Sequence, residues 1–452
     1  MKKIIAILTA LAVVSMAFAQ TVSVFNKLES VPKVTIDGAK DQWGFDEDNF
    51  LRDTIQAKAV TADGRAEFEG RARFMAQTRS TDNASILNVS PRWQFTGDLA
   101  ASGLIRPIDG LELRIIGNKD FLTKGFGPSL CWRAWEQYNA ADIAIPGITG
   151  AWNNPQVLME GMYAAYTGID GLWVGAGLNK GIASGVKEFG TQTIDNNVWN
   201  GRKGDSSWIK KGAFGPFTVG ATYDADLFGV GGKYVGEFGG YNGTAGENGK
   251  DDSNTGKFNH HNIYAGFTFK GLTDAKVGTT IGAAVDFDTY SASSVMDTKA
   301  YTGLAATVNA DMNFRNGITD MVAVTVGYTT YDGKKSKVLP LYIGNDLGYK
   351  VSDDASFNLH TSYMQGALNN AKKTYTDQTK VGDALFANYA SLITLKPEFT
   401  FNMGAHSFNF GVETQVANQI KYNQKTSADW AFTSMYGKKA VVKFPMSWTY
   451  NF

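Results

Sequence analysis

From about residue 65 to its end the chain alternates. Large apolar side chains recur at every second position with small or polar residues between them, the period of a β-strand whose two faces meet different surroundings. The clearest stretch is the last, where Val442, Phe444, Met446, Trp448, Tyr450 and Phe452 share one face and Lys443, Ser447, Thr449 and Asn451 the other. Upstream, Phe399, Phe401 and Met403 alternate with Glu398, Thr400 and Asn402. After Gly404-Ala405-His406, Phe408, Phe410, Val412, Thr414 and Val416 are set against Ser407, Asn409, Glu413 and Gln415, which makes a hairpin with one apolar face. Leu304, Ala306, Val308, Ala310, Met312 and Phe314 oppose Thr307, Asn309, Asp311 and Asn313, and Val277 to Phe287 repeat the pattern with Asp286 and Asp288 opposite.

Short turns punctuate these segments: Pro107-Ile108-Asp109-Gly110-Leu111, Gly168-Ile169-Asp170-Gly171-Leu172, Gly271-Leu272-Thr273-Asp274-Ala275 and Gly317-Ile318-Thr319-Asp320-Met321. Asp caps its own backbone and Gly reaches positive φ, so both suit tight turns. Long polar stretches lie between the short turns, near 119–156, 181–212, 239–261, 289–301, 367–384 and 421–438. The pattern predicts about sixteen strands, within a range of 14 to 18. They lie near 65–77, 86–105, 110–118, 157–167, 172–180, 213–223, 227–238, 262–270, 275–288, 302–314, 321–331, 338–351, 355–366, 385–403, 407–420 and 439–452. Thr21 to Phe25 or Lys33 to Ile36 could add strands, and residues 20–64 read as a periplasmic segment or an extra strand pair.

Composition narrows the class. Fifty glycines, 13% aromatics and 19% charged residues fit neither a disordered chain nor a coiled coil. Lys and Arg total 43 against 43 Asp and Glu, which gives no net basic surplus for a nucleic-acid partner. The single cysteine, Cys131, forms no internal disulfide and no multi-thiolate metal site. Residues 1–19 read as a secretory signal peptide: Lys2 and Lys3, an apolar run from Ile4 to Phe18, then Ala17-Phe18-Ala19 as the cleavage site, with Gln20 as the expected mature N-terminus. The apolar run is shorter than the ~20 residues that a spanning helix requires, and no later segment is long and uncharged enough to replace it.

In lipid every backbone polar group must be satisfied internally, which leaves helices or closed barrels. Strands of roughly ten residues with one apolar face fit the barrel, and averaging over two unlike faces accounts for a mean hydropathy of −0.20. Aromatics near strand ends fit interfacial girdles: Trp93 and Phe95, Tyr163 and Tyr166, Phe217 and Tyr223, Phe267 and Phe269, Trp448 and Tyr450.

The final strand, with its terminal Phe452, Tyr450 two positions earlier and Phe444, Met446 and Trp448 in phase, resembles the C-terminal signature of bacterial outer-membrane β-barrels. Pro445 is a departure, accommodated at a weakly paired position. The resemblance implies an all-β, transmembrane antiparallel barrel over 65–452 with short periplasmic turns and long extracellular loops. It also implies surrounding outer-membrane lipids, and assembly machinery that reads the five aromatic and apolar positions named. The general porins of that class form homotrimers and pass small polar solutes. The end of the signal segment, Ala-Phe-Ala-Gln, is similar to that of the porin-like major outer sheath proteins.

With apolar residues toward lipid, the opposite face lines the interior. Ala66, Phe68, Gly70, Ala72, Phe74 and Ala76 face outward, so Arg65, Glu67, Glu69, Arg71, Arg73 and Gln77 point inward, and Arg92, Glu112 and Arg114 continue that parity. Charges of both signs on a barrel wall hold water and set up a transverse field, as a pore for polar solutes requires; a dry core would leave them unpaired at heavy cost. The stretch 119–156 is the expected constriction. General porins fold their third loop inward, and this stretch is the second outer loop when strands are counted from residue 65, or the third if an N-terminal pair exists. Asp120, Glu136 and Asp142 are the acidic candidates there, and Trp132 and Trp135, with Tyr138, are aromatics able to stack on a sugar or pack on the inner wall.

Other chemistry is weaker. Asp41 to Asp53, with Asp46-Glu47-Asp48, lacks the spacing and glycine of an EF-hand and reads as a solvated acidic turn. His260-His261 falls in a polar loop without further ligands. Gly229-Val230-Gly231-Gly232 lacks the Lys-Ser/Thr ending of a phosphate loop and reads as close-packed strand glycines. Cys131 has no activating His near it in sequence. No metal, cofactor or enzymatic activity is expected. The reading is a porin for passive diffusion of small hydrophilic solutes and ions; the alternatives are a substrate-specific channel for sugars or fatty acids, or a surface adhesin on a barrel anchor.

Overall fold

The computed structural model describes residues 19–36, 42–45, 49–79, 92–117, 126–128, 161–179, 187–188, 192–193, 213–242, 255–273, 276–290, 301–331, 334–335, 341–365, 390–419 and 440–451. Most of these form a closed antiparallel barrel of 18 strands, while Lys187–Glu188 and Gln192–Thr193 pair as a separate two-stranded sheet. Strand β1 is Ala19–Ser30 continued by Pro32–Ile36, and β2 is Gln42–Phe45 continued by Asn49–Thr61. Then follow β3 Ala66–Arg79, β4 Arg92–Ile105, β5 Leu111–Gly117, β6 Gly161–Tyr166, β7 Leu172–Asn179, β8 Ala213–Asp224, β9 Phe228–Asn242 and β10 Thr255–Thr273. The barrel continues with β11 Val277–Tyr290, β12 Tyr301–Phe314, β13 Ile318–Tyr331, β14 Leu341–Lys350, β15 Ala355–Gln365 and β16 Ala390–Met403. Strand β17 is His406–Gly411 with Glu413–Gln419, and β18 is Ala440–Lys443 with Met446–Asn451.

Each strand pairs with its neighbour in sequence, and the sheet closes where β1 meets β18, with Phe25 opposite Asn451 and Ser30 opposite Met446. Pro445 sits at an interruption in β18: its carbonyl accepts from the Gly411 N–H (2.9 Å), and no ladder donor is demanded of it. Two strands therefore precede the sixteen counted from residue 65. Gln42–Phe45 and Asn49–Thr61, with Asp53, are strand, whereas Asp41 and the Asp46-Glu47-Asp48 run read as a solvated acidic turn lie outside the described residues. His260-His261 likewise lies in β10 rather than in a loop, and Gly271-Leu272-Thr273 ends that strand rather than turning.

The short connections gather at one rim together with the first residue of β1 and the last of β18. There the recurring Asp-Gly turns work as their composition demands. Gly110 and Gly171 hold φ of 80° and 74°, a region closed to most side chains, and their carbonyls accept from Thr167 (2.7 Å) and Asp224 (2.9 Å) of the next hairpin. A Cβ on Gly171 would stand 2.3 Å from the Asp224 carbonyl oxygen, so this turn cannot carry a larger residue without parting from its neighbour.

Outside, the barrel is apolar. Ile115 (63% exposed), Ile393 (57%) and Val308 (56%) belong to a surface of Val, Leu, Ile, Phe and Tyr that keeps one parity along most strands and shifts in β10, where Leu272 follows a bulge. So broad an exposed apolar belt has no place in water and matches the hydrocarbon zone that a closed barrel spans. Among the described residues no helix is long and apolar enough to cross a membrane. Inside, small and polar residues pack: Thr307 and Thr325 share a hydroxyl–hydroxyl bond of 2.7 Å, flanked by buried Ala305, Asn309 and Ala323.

Candidate functional site: the barrel interior

The register places the charged residues of the first strands on one inner wall. Lys27 and Glu29 of β1 face Thr54 and Arg52 of β2, and β2 in turn sets Gln56 opposite Arg71 and Lys58 opposite Glu69 of β3. Arg52 donates to Glu29 (2.6 Å), Gln56 to Glu69 (2.8 Å), and Lys58 pairs with Glu67 (3.0 Å), which Arg114 of β5 also approaches (3.7 Å). Glu112 joins Arg106 (2.8 Å). Glu29, Glu67 and Glu112 thus each hold a cation in place and Glu69 holds the Gln56 amide, while Arg71 and Arg73 add charge to the same face. The wall is net basic and its side chains are fixed in position, the condition for a preorganised field.

Nine strands away, half the circumference of eighteen, lies β12. Its neighbourhood is acidic: Asp286 on β11 accepts from Asn262 (2.8 Å), Asn309 reaches Asp311 on β12 (3.4 Å), and Asp346 on β14 meets His360 Nδ1 (2.6 Å). Two further ion pairs, Lys396 with Glu398 (3.1 Å) and Lys443 with Glu413 (3.9 Å, both almost fully buried), complete the circle on β16 to β18. A field therefore runs across the interior from the β1–β5 wall to the β11–β14 wall.

The connection from β5 to β6 is the third on the far rim once β1 and β2 are counted. Its described part, Phe126-Gly127-Pro128, enters the barrel. Phe126 is fully buried between Tyr163 (centroids 5.3 Å, planes at 82°) and Trp173 (4.9 Å, 82°). Lys233, itself only 3% exposed, donates from Nζ to the Pro128 carbonyl at 2.8 Å. Gly127 has φ of 70°, and a Cβ there would lie 2.5 Å from the Trp173 ring. The chain can pass so close to the indole only as glycine.

Of the sequence-derived candidates, Glu67, Glu69, Arg71, Arg73, Glu112 and Arg114 come together on the inner wall by register. Arg65 instead stands half-exposed at the short-turn rim, bonded to Asp109 (2.9 Å). Arg92 begins β4 opposite Arg79, but its side chain lies outside the described residues. So do the side chains of Trp93 and Phe95, and Asp120, Cys131, Trp132, Trp135, Glu136, Tyr138, Asp142 and Phe452 entirely. Phe444, Met446, Trp448 and Tyr450 share the outer face, where Trp448 and Tyr450 stack on His406 (5.8 and 4.6 Å). Tyr163 is a correction: placed with the outer girdle by its proximity to Tyr166, it has the opposite parity and packs inside on Phe126. Phe126 and Lys233 escaped the sequence reading altogether. The available signal was a lone lysine of inward parity on a glycine-rich strand.

No family model and no curated protein matches this chain. Solved structures do. The outer-membrane protein OpdK of Pseudomonas aeruginosa is similar with a TM-score of 0.52 at 9% identity, over 96% of this chain and 100% of its own. OccAB3 of Acinetobacter baumannii gives 0.51 at 8% over 95% and 99%, and OccK9 (OpdG) of Pseudomonas aeruginosa gives 0.51 at 10% over 96% and 99%. Apolar exterior, closed 18-strand sheet and these likenesses agree on one architecture: the fold is that of a bacterial outer-membrane β-barrel channel protein.

Proposed function

We propose that the protein is a porin, an outer-membrane channel through which small hydrophilic solutes and ions diffuse passively, with anions favoured. The observation that carries this reading is the inner wall of β1 to β5, where Lys27, Arg52, Lys58, Arg71, Arg73 and Arg114 converge on one face of the barrel and outnumber their carboxylate partners. A fixed positive wall lowers the barrier for anions and raises it for cations. Residues 1–19 serve as the export signal, and the outward aromatics of β18 as the mark by which the barrel is assembled. A substrate-selective channel is the second reading, favoured by the Phe126-Gly127-Pro128 segment held inside the barrel. Neither reading calls for enzymatic chemistry.

The test is single-channel recording of the purified protein in a planar bilayer under a salt gradient. Stable steps of about a nanosiemens with a reversal potential on the anion side are expected of a charged aqueous pore; persistent silence from folded protein would overturn the channel. Flux that falls smoothly with solute size marks the general porin, whereas saturation by one solute class marks the selective channel.

A further inference from the structure

The register of the barrel sets a run of inward residues in one continuous row. Asp311 of β12 lies opposite Met321 of β13, Met321 opposite Asp346 of β14, Asp346 opposite His360 of β15, and His360 opposite Lys396 of β16. The ladder that pairs Leu395 with Thr414 and Glu398 with Gly411 carries Lys396 on to Glu413 of β17. Glu413 faces Lys443 of β18, which in turn faces Lys33 of β1. Strands tilt in a closed barrel, so a row of this kind climbs the wall. Asp311 stands three residues from the short-turn end of its strand, His360 five, Lys443 eight and Lys33 fourteen.

The row changes sign along its length. Its lower members Asp311 and Asp346 are carboxylates, whereas above His360 the cations Lys396, Lys443 and Lys33 outnumber Glu413. His360 occupies the junction. Its Nδ1 donates to Asp346 Oδ1 at 2.6 Å. Its Nε2 is buried and makes no hydrogen bond among the described residues, which leaves that nitrogen open to a second proton. The titratable and charged groups that face the ring are Asp346 and Tyr342 on β14 and Lys396 and Glu398 on β16, the last two joined to each other at 3.1 Å. On β15 itself the inward neighbours Asn358 and Ser362 carry no charge. The Asp346 side chain is 42% exposed and that of His360 11%, so an ion in the interior meets the carboxylate while the ring acts on it from the wall.

We propose that His360 makes the charge selectivity of the pore depend on pH, by cancelling or releasing the charge of Asp346. This role presupposes the porin reading, to which it adds a residue that decides ion preference. Imidazole is the side chain whose charge ordinarily changes between about pH 5 and 8. With the ring neutral, Asp346 presents its full negative charge to the interior. When Nε2 takes up a proton, the ring becomes a cation held against Asp346, and the basic part of the row extends downward to β14. Anions are then favoured more strongly as pH falls.

The test is the reversal potential of the full-length protein in a planar bilayer under a potassium chloride gradient, at about pH 8 and about pH 6, both above the range in which ordinary carboxylates titrate. His260, whose side chain lies outside the described residues, is removed as a second source of charge, so every protein compared carries His260→Gln. His261 and His406 point outward, bonded to Tyr234 and Trp448. The anion-to-cation permeability ratio is expected to rise about twofold on acidification, the effect of one unit charge about 8 Å away in water. His360→Gln, with folding checked by heat-modifiable migration, is expected to abolish most of that rise. An equal rise with and without His360 would overturn this role and leave the porin reading standing, whereas silence of both proteins would overturn the porin reading and this role with it. Nitrogen-15 spectra of histidine-labelled protein read the ring without current and without replacing it. A His360 ring that keeps one charge state from about pH 8 to about pH 6 would overturn the role as well.

Discussion

A few side chains hold the interior in place. The Phe126 ring fills an aromatic trap, Gly127 lets the backbone skim Trp173, and Lys233 spends its ammonium on the Pro128 carbonyl. Removing a buried phenyl ring costs about 3–5 kcal/mol and a single hydrogen bond about 1 kcal/mol, so Phe126→Ala should free the segment more than Lys233→Met. Both variants should pass larger solutes and carry more current than wild type, in that order; identical size cut-offs would show that this segment does not narrow the path. At the rim, Asp63 accepts from the Thr61 hydroxyl (2.7 Å) and the Arg65 N–H (3.0 Å), and these bonds, the Thr61 one foremost, hold its carboxyl below the usual carboxylate range. A depressed carboxylate contributes to the turn above its unfolded value and loses that contribution as pH falls through the folded one. Thr61→Val should therefore shift the Asp63 titration upward, read by NMR of the carboxyl carbon.

At the scale of the strand, legibility follows the purity of the pattern. Strands such as β12 and β16 were readable because lipid on one side and packed polar groups on the other enforce a period of two along most of their length. Strands β1 and β2 were not. Phe25 points inward while Asn26 and Asp53 point outward, Ala57 and Ala59 blur the outer face, and Pro32 breaks the run. The outward Asn26–Asp53 pair is thus part of what hid the first two strands. The inner wall was legible by parity alone, whereas the entry of three residues of a long connection into the barrel was not, since it depends on rings from β6 and β7 and a lysine from β9. The last strand stacks Trp448 and Tyr450 on His406 of β17, so in the closed barrel its aromatics are held at the outer surface. Deleting Phe452 should leave those contacts intact yet lower the amount of assembled barrel several-fold in outer membranes; normal levels would show that the terminal residue is not read.

Across the molecule the charges are sorted by wall. Arg71 and Arg73 stand on β3, and the acidic residues Asp286, Asp311 and Asp346 lie around β12, so the interior is polarised rather than uniformly charged. Arg71→Glu with Arg73→Glu removes two cations and adds two anions to one wall, and should move the reversal potential toward cation preference, more at low salt than at high, because mobile ions screen the wall within ~10 Å at 0.1 M. An unchanged reversal potential would mean that ions do not pass along β3.

The seam between β1 and β18 makes the barrel a cyclic object cut at one point. Because the pairing of Phe25 with Asn451 spans nearly the entire chain, the ladder cannot close until the final strand is made, and until then the growing sheet presents two raw edges that would join any other exposed strand. A chain of this design stays open to edge-to-edge association through all of its folding, and that exposure ends in a single event, when the last strand finds the first.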